Sequence, residues 1–333
     1  MAAYIARRLA WLVLVAVGMT LLIFVITHLI PADPAKFAAG LDATADQIEQ
    51  TKRSLGLDKP LPEQYLIYLG NLAHGDLGTS IITKRPVRDD LADYFPATLE
   101  LTLWTVVIIA AIGVPLGVIS ATQRGGWIDL ITRALATLWV ALPVFWFGLL
   151  LQLVFYLRLG WLPAGDRLDS SIVLPRLTGL VTLDAILQGN AIAFVDGLRH
   201  LILPVLTLAL ARVAIIARMT RAGMLEVLGA DYVRTARAKG LHERAVIYRH
   251  ALKNAALPVL TTFGTQMGFL LGGALLVEVI FQWPGMGRYA VSSITSVDFP
   301  AIMGVTLAAA SLFVLINLLV DLAYLLVDPR IAY

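Results

Sequence analysis

Six runs of the chain are apolar over about 20 residues or more, the length a helix needs to cross the hydrocarbon of a bilayer. They are 9–30, 97–121, 134–157, 200–219, 256–280 and 301–326. The first is too long for the core of a signal peptide and is read as an uncleaved anchor. The stretch 172–198 is apolar only in patches, because Arg176, Asp184, Asn190, Asp196 and Pro175 interrupt it. It is expected to be an extracytoplasmic helix or loop, with a seventh span as the alternative. The segment 31–96 is polar, and two helices are expected inside it. One runs from Thr44 to Leu55, opening with a Thr44 cap and Gln47 three residues on, and stopping at Gly56. The other runs from Pro62 to Ala73, with proline in its first turn.

Composition agrees with this pattern. Hydrophobic residues make up 59% and charged residues 15%, against roughly 45–50% and roughly 25% in a soluble domain. The expected fold is all-α and integral to the membrane, with six transmembrane helices. Residues 1–30 form the N-terminus and first span, 31–96 a small folded extracytoplasmic region, and 97–333 a core of five spans with a cytoplasmic loop at 218–255. The net charge of +3 is too small for the whole chain to be a nucleic-acid binder. Its distribution is more informative. Arg7 and Arg8 precede the first span, and Arg124 and Arg133 flank the loop between the second and third. Residues 218–253 hold eight basic residues against three acids, net +5, which leaves −2 for the rest of the chain. Lys and Arg gather in short cytoplasmic loops. With six spans these regions share one side, so both termini are expected to be cytoplasmic. A seventh span would put the most basic loop outside.

Several chemistries lack their residues. The chain has no cysteine, and none of its six lysines precedes Ser or Thr, so it has no G-x-x-x-x-G-K-[ST] phosphate loop. His242-Glu243 begins an H-E-x-x-H, but position 246 is valine. No G-x-S-x-G elbow occurs. No catalytic site, bound cofactor or metal site is expected on this chain. A protein that moves solute, driven from elsewhere, is the better class.

The basic loop carries the sharpest signal. Asp231 is expected to cap a helix over Tyr232–Lys239, which Gly240 ends in the left-handed conformation. A second helix restarts near His242 and feeds the fifth span at Pro258. A helix this short is marginal alone and needs a docking surface. An ordinary solvated loop is the plainer alternative.

The run Ala236-Arg237-Ala238-Lys239-Gly240 resembles the EAA loop of ATP-binding-cassette (ABC) importer permeases, and the resemblance implies ATPase coupling through Asp231, Tyr232, Arg234, Thr235, Ala236, Arg237, Ala238, Lys239, Gly240 and Leu241. The loop departs from the general pattern, with Arg234 at the Glu position and Thr235 at the first Ala. In those departures it is similar to the dipeptide, oligopeptide and nickel branch. Other stretches resemble the same branch: Arg53–Leu61, Gly75–Ser80, Phe281–Arg288, Asp298-Phe299-Pro300 and Asp328-Pro329-Arg330. The long outer segment resembles that of the first, B-type permease of such systems.

The resemblance implies the type I importer permease fold and a bacterial inner-membrane location. It implies import of dipeptides, short peptides or a related small solute, and coupling through the 231–241 helix to two ABC ATPase subunits that bind ATP and Mg. The other implied partners are a second homologous permease, an extracytoplasmic solute-binding protein and membrane lipid, with no nucleic acid. A secondary transporter or channel working without ATPases is the alternative.

Gly264, Gly268 and Gly272 recur every four residues in the fifth span, giving either ordinary packing or a sliding or dimer face beside the pathway. Gln266 either lines the pathway or makes an interhelix bond; Gln152 faces protein or water. Gly113 and Gly117 around Pro115 allow a bend or close packing. Trp283 and Arg288 are candidates for contact at the outer face or with the receptor.

Overall fold

The computed structural model describes residues 14–26, 34–39, 43–54 and 56–327. Expectations resting on Arg7, Arg8, Leu55 and Asp328-Pro329-Arg330 lie outside the described residues. In chain order the helices are α1 (Leu14–Ile26), α2 (Pro34–Ala39), α3 (Ala45–Ser54), α4 (Leu61–Ala73), α5 (Val87–Thr122), α6 (Trp127–Ala141) and α7 (Val144–Arg158). There follow α8 (Val181–Leu187), α9 (Ala191–Leu228), α10 (Asp231–Ala238), α11 (Glu243–Leu270, continued as Gly272–Ile280), α12 (Met286–Thr295) and α13 (Phe299–Val327). Among the described residues there is no strand, only an isolated bridge between Thr79 and Pro86. The chain divides into two compact units: Met1–Thr98 with Pro284–Val314, and Leu99–Trp283 with Leu315–Tyr333.

In the first unit, α3 opens with reciprocal capping. Thr44 N donates to Gln47 Oε1 at 2.8 Å, and Gln47 N donates to Thr44 Oγ1 at 3.3 Å. Tyr65 of α4 donates its hydroxyl to the Val17 carbonyl at 3.2 Å, and its ring lies 5.2 Å from that of Phe24. The helix α5 begins at Val87, ten residues before the apolar run expected at 97, because Asp89 and Asp90 suit the positive end of a helix. Two motif-bearing stretches meet here. Asp298, fully buried, accepts from Ser80 Oγ at 2.5 Å, Ile82 N at 3.2 Å and Ala301 N at 3.3 Å. Asp90 accepts from the hydroxyls of Thr83 at 2.6 Å and Tyr289 at 3.0 Å.

In the second unit, α9 is the axis: 38 residues long, with 72% of its apolar window buried. It is nearly twice the expected 200–219. Asn190 caps it by accepting from Ala193 N at 3.0 Å, so residues 191–198 of the ambiguous stretch belong to this helix. What remains of 172–198 is loop and α8, which at 7 residues is too short to cross a bilayer.

Close packing joins α5 to α9. A Cβ at Gly113 would stand 3.0 Å from Ile216, and one at Gly117 only 2.5 Å from Thr220. Pro115 has no N–H to donate, and α5 widens into a π turn at Ile109–Gly113 just before it. The third expected span, 134–157, is not one straight helix. Between α6 and α7 the chain turns by 104°. Pro143 supplies the physical reason: it cannot donate, and it holds Leu142 extended at ψ 130. The fifth expected span, within α11, bends by 48° between Leu270 and Gly272. Among the described residues three helices are long and apolar enough to cross a membrane, or up to five if each bent pair is one span.

Candidate functional site

The helix α10 is built from a sequence that is mostly polar, DYVRTARA. Its N-cap is Ala230, not Asp231. The extended backbone of Ala230 (φ −74, ψ 150) supplies no side-chain hydrogen bond, and Asp231 is the first helical residue. There its carboxylate sits at the positive end of the helix and takes Arg234 Nη1 at 3.2 Å.

Val233 and Ala236 are three apart and share a face. Both are buried, packed on Val246 together with Val227 and Leu228. Val227 and Leu228 end α9, and Val246 belongs to the first turns of α11. Burying Val233 contributes about 2 kcal/mol, which offsets the unfavourable nucleation of so short a helix.

At the C-terminus Gly240 adopts φ +73, with its N–H on the Arg237 carbonyl at 2.9 Å. No heavy atom lies within 4 Å of where its Cβ would be, so the position needs glycine for its backbone and not for space. Two side chains fasten α10 to the following helix. Arg237 donates to the two Glu243 oxygens at 2.7 and 3.2 Å, which holds the Glu243 carboxyl below its ordinary 4.5. Asn254 Nδ2 donates to Tyr232 Oη at 3.0 Å. The outward face is left exposed: Arg234, Thr235, Ala238, Lys239 and Leu241. Chemically it offers two cations, one hydroxyl and two aliphatic side chains, with the exposed Tyr232 ring at its edge. Among the described residues no group of three His, Cys, Asp or Glu could hold a metal.

The other expected site residues scatter. Gly264 is buried, Gly268 intermediate and Gly272 exposed, with nothing within 4 Å of a Cβ at Gly272. Burial therefore differs along the stripe. Gln266 is half-buried. Gln152 ties helices together, donating to the carbonyls of Ala164 at 2.7 Å and Ile280 at 3.1 Å. Arg288 is exposed. Trp283 is a correction: it is fully buried, its ring under the Arg167 guanidinium at 5.7 Å, because the chain folds back so that its N–H meets the Glu278 carbonyl at 2.8 Å. As placed, it packs and does not face a receptor.

Three polar clusters were not expected from the sequence. Glu100, buried on α5, accepts from Arg167 and, at 2.7 Å each, from the N–H and hydroxyl of Thr182. Asp184 accepts from the N–H groups of Leu177, Thr178 and Gly179 and from the Thr178 hydroxyl. These bonds turn 160–190 into an ordered cover. The second cluster is Asp129, which receives Arg221 through two bonds at 2.6 and 2.9 Å and Ser120 at 2.6 Å. The third is Arg212, buried in α9, which donates to the carbonyls of Leu208 at 2.7 Å and Phe269 at 2.8 Å, the latter beside the bend of the fifth span. A guanidinium inside an apolar run was its one visible signal; Glu100 with Arg167, Glu100 with Thr182 and Asp129 with Arg221 join residues 67 to 92 positions apart, and no local pattern marks them.

Residues 113–333 match the family described as binding-protein-dependent transport system inner membrane component. Residues 1–102 match the N-terminal region of such membrane components. Among relatives, the probable D,D-dipeptide transport system permease protein of Escherichia coli K12 is 47% identical, over 98% of this chain and 97% of that protein. The dipeptide transport system permease protein of Alkalihalophilus pseudofirmus is 46% identical over the full length of both. The glutathione transport system permease protein of Pectobacterium atrosepticum is 42% identical over 99% of each.

Proposed function

The chain belongs to the binding-protein-dependent transport system inner membrane components, and from that membership we propose that it is the permease subunit of an ATP-driven importer of short peptides. Relatives named for dipeptides, D,D-dipeptides and glutathione support the peptide class. The six apolar runs form six spans, with the third and fifth broken. The basic loop and both termini face the cytoplasm. A second, similar permease completes the pathway, two ATPase subunits supply the energy, and a binding protein delivers solute to the outer face.

The observation that carries the reading is α10. It is anchored on one face and open on the other. Its anchor, Val233 and Ala236 on Val227, Leu228 and Val246, joins the end of α9 to the start of α11. An ATPase gripping the open face therefore pushes on two spanning helices at once. A packed contact of this kind transmits displacement because interiors are close-packed and resist compression. The push biases a bundle with two arrangements, inward-open and outward-open.

The test is co-purification of ATPase subunits with Gly240→Val and Gly240→Asn. A β-branched residue at φ +73 is strained, whereas Asn tolerates the left-handed region. Gly240→Val is expected to lose the ATPases or uncouple hydrolysis from transport, and Gly240→Asn to keep most of both. Full assembly and transport in Gly240→Val would remove the coupling role.

A further inference from the structure

The helix α11 is two segments packed on different neighbours. Its first part, up to Leu270, lies on α9. Ala251 and Ala255 are buried against Met224, and a Cβ at Gly223 would stand 3.3 Å from the Ala255 carbonyl. Its second part, Gly272–Ile280, is tied to α7 and the cover. Gln152 donates to the Ile280 carbonyl at 3.1 Å, and Asp166 N donates to the Phe281 carbonyl at 3.0 Å. The 48° bend lies between the two parts. The glycine pair Gly272-Gly273 permits a bend there but does not choose its angle. Pro258 lies about three turns earlier, too far to act on this turn.

One side chain sits at the joint. In a regular helix the Phe269 carbonyl accepts from the amide of residue 273. The Arg212 guanidinium reaches both: its Nη2 donates to the Phe269 carbonyl at 2.8 Å and would stand 2.9 Å from a Cβ at Gly273. A side chain brought into the helical ladder is one of the few causes of a sharp kink. Nη1 donates to the Leu208 carbonyl of its own helix at 2.7 Å, which fixes the guanidinium to α9. Arg212 is 7% exposed. Among the described residues its hydrogen bonds go to carbonyls and none to a carboxylate, and its Nε has no partner. An apolar side chain of this size would fill the space without desolvating a cation. Stability therefore does not explain the charge, whereas the bend does.

We propose that Arg212 is a positioning residue for transport: it fixes the angle at which Gly272–Ile280 leaves α9. A displacement of α10 enters the first part of α11 through Val246. The joint converts it into a swing of the second part about the bend. Without the guanidinium the joint is slack, and the displacement is lost there. The role in transport rests on the importer reading above; the cause of the bend does not.

The test uses the full chain with its co-expressed partner subunits, in nanodiscs for structure and in proteoliposomes for transport of dialanine. The readouts are the bend angle in a cryo-electron-microscopy map, Tm, and ATP hydrolysed per dialanine imported. Arg212→Met should reduce the bend to below about 20° and leave Tm unchanged or higher. It should raise the ATP hydrolysed per dialanine roughly fivefold. Arg212→Lys keeps a charged donor for the Phe269 carbonyl and should keep most of the bend and of the coupling. Gly273→Ala crowds Nη2 off that carbonyl and should copy Arg212→Met in milder form; it carries the test if Arg212→Met does not assemble. A parental bend in Arg212→Met overturns the proposal, as does parental coupling beside a straightened helix. So does a fall in Tm with Lys no better than Met, which would make Arg212 a packing residue only. A parent complex that imports no dialanine, with the bend still lost in Arg212→Met, overturns the importer reading and leaves the cause of the bend standing.

Discussion

Gly117 and Gly240 are glycines for different reasons, and substitution should separate them. At Gly117 a Cβ would press on Thr220 Cβ at 2.5 Å and on the Ala217 carbonyl at 2.6 Å. The second is backbone of α9 and cannot rotate away. Gly117→Ala is expected to destabilise the α5–α9 contact by about 1–3 kcal/mol, seen as a lower Tm in detergent. Gly240→Ala meets no neighbour but strains the left-handed backbone by about 1–2 kcal/mol. It should leave Tm nearly unchanged and speed amide exchange only around α10. Asp184 gives a pH prediction. Burial alone would raise its pKa, but the bonds from Thr178, Leu177 and Gly179 outweigh that and hold it below 3.8. A depressed folded pKa means the stabilisation is complete above the unfolded value and is lost as pH falls through the folded one. Amides 177–179 should therefore exchange faster in Asp184→Asn than in the parent at neutral pH. The difference should close only when the pH drops below about 3.8; a difference that persists in acid would remove the carboxylate from the explanation.

At the scale of elements, the apolar runs predict where helices lie but not where they break. The third run contains Pro143 and the second contains Pro115, yet only Pro143 produces a turn of 104°. Pro115 sits where α5 is held against α9 through Gly113 and Gly117, and the helix absorbs the missing donor as a π turn. The glycine stripe of the fifth span behaves similarly. Its repeat was visible in the sequence, but Gly273, outside the repeat, is the glycine that makes room for Arg212 Nη2, at 2.9 Å from a Cβ there. Gly272, inside the repeat, is bare. Gly272→Leu is expected to leave the fold and Tm of this chain unchanged while weakening assembly with a second permease, read by size-exclusion profile and pull-down. Normal assembly would assign the stripe to packing alone.

At the scale of the whole molecule, orientation is the property on which transport direction depends. The chain has no cysteine, so single cysteines report without background. Val173 is 85% exposed in the cover, and Arg124 is exposed in the turn between α5 and α6. Val173→Cys should react with a membrane-impermeant maleimide in intact cells, and Arg124→Cys only after permeabilisation. The reverse pattern would invert the topology and place α10 on the wrong side for an ATPase.

The sequence by itself determined the class of molecule and the short helix between two long ones. Both depend on local quantities: runs of apolar residues long enough for a bilayer, and a glycine where a helix must stop. The capping pair Thr44 and Gln47 was legible for the same reason, since its partners are three residues apart. Tertiary structure alone decided that Trp283 is buried, that Glu100 and Arg167 secure the 160–190 cover, and that Asp129 meets Arg221. It also placed the Arg212 guanidinium at the bend of the fifth span. These joinings bring together residues from different helices, and a charge or ring has no preferred partner until packing fixes which surfaces exclude water.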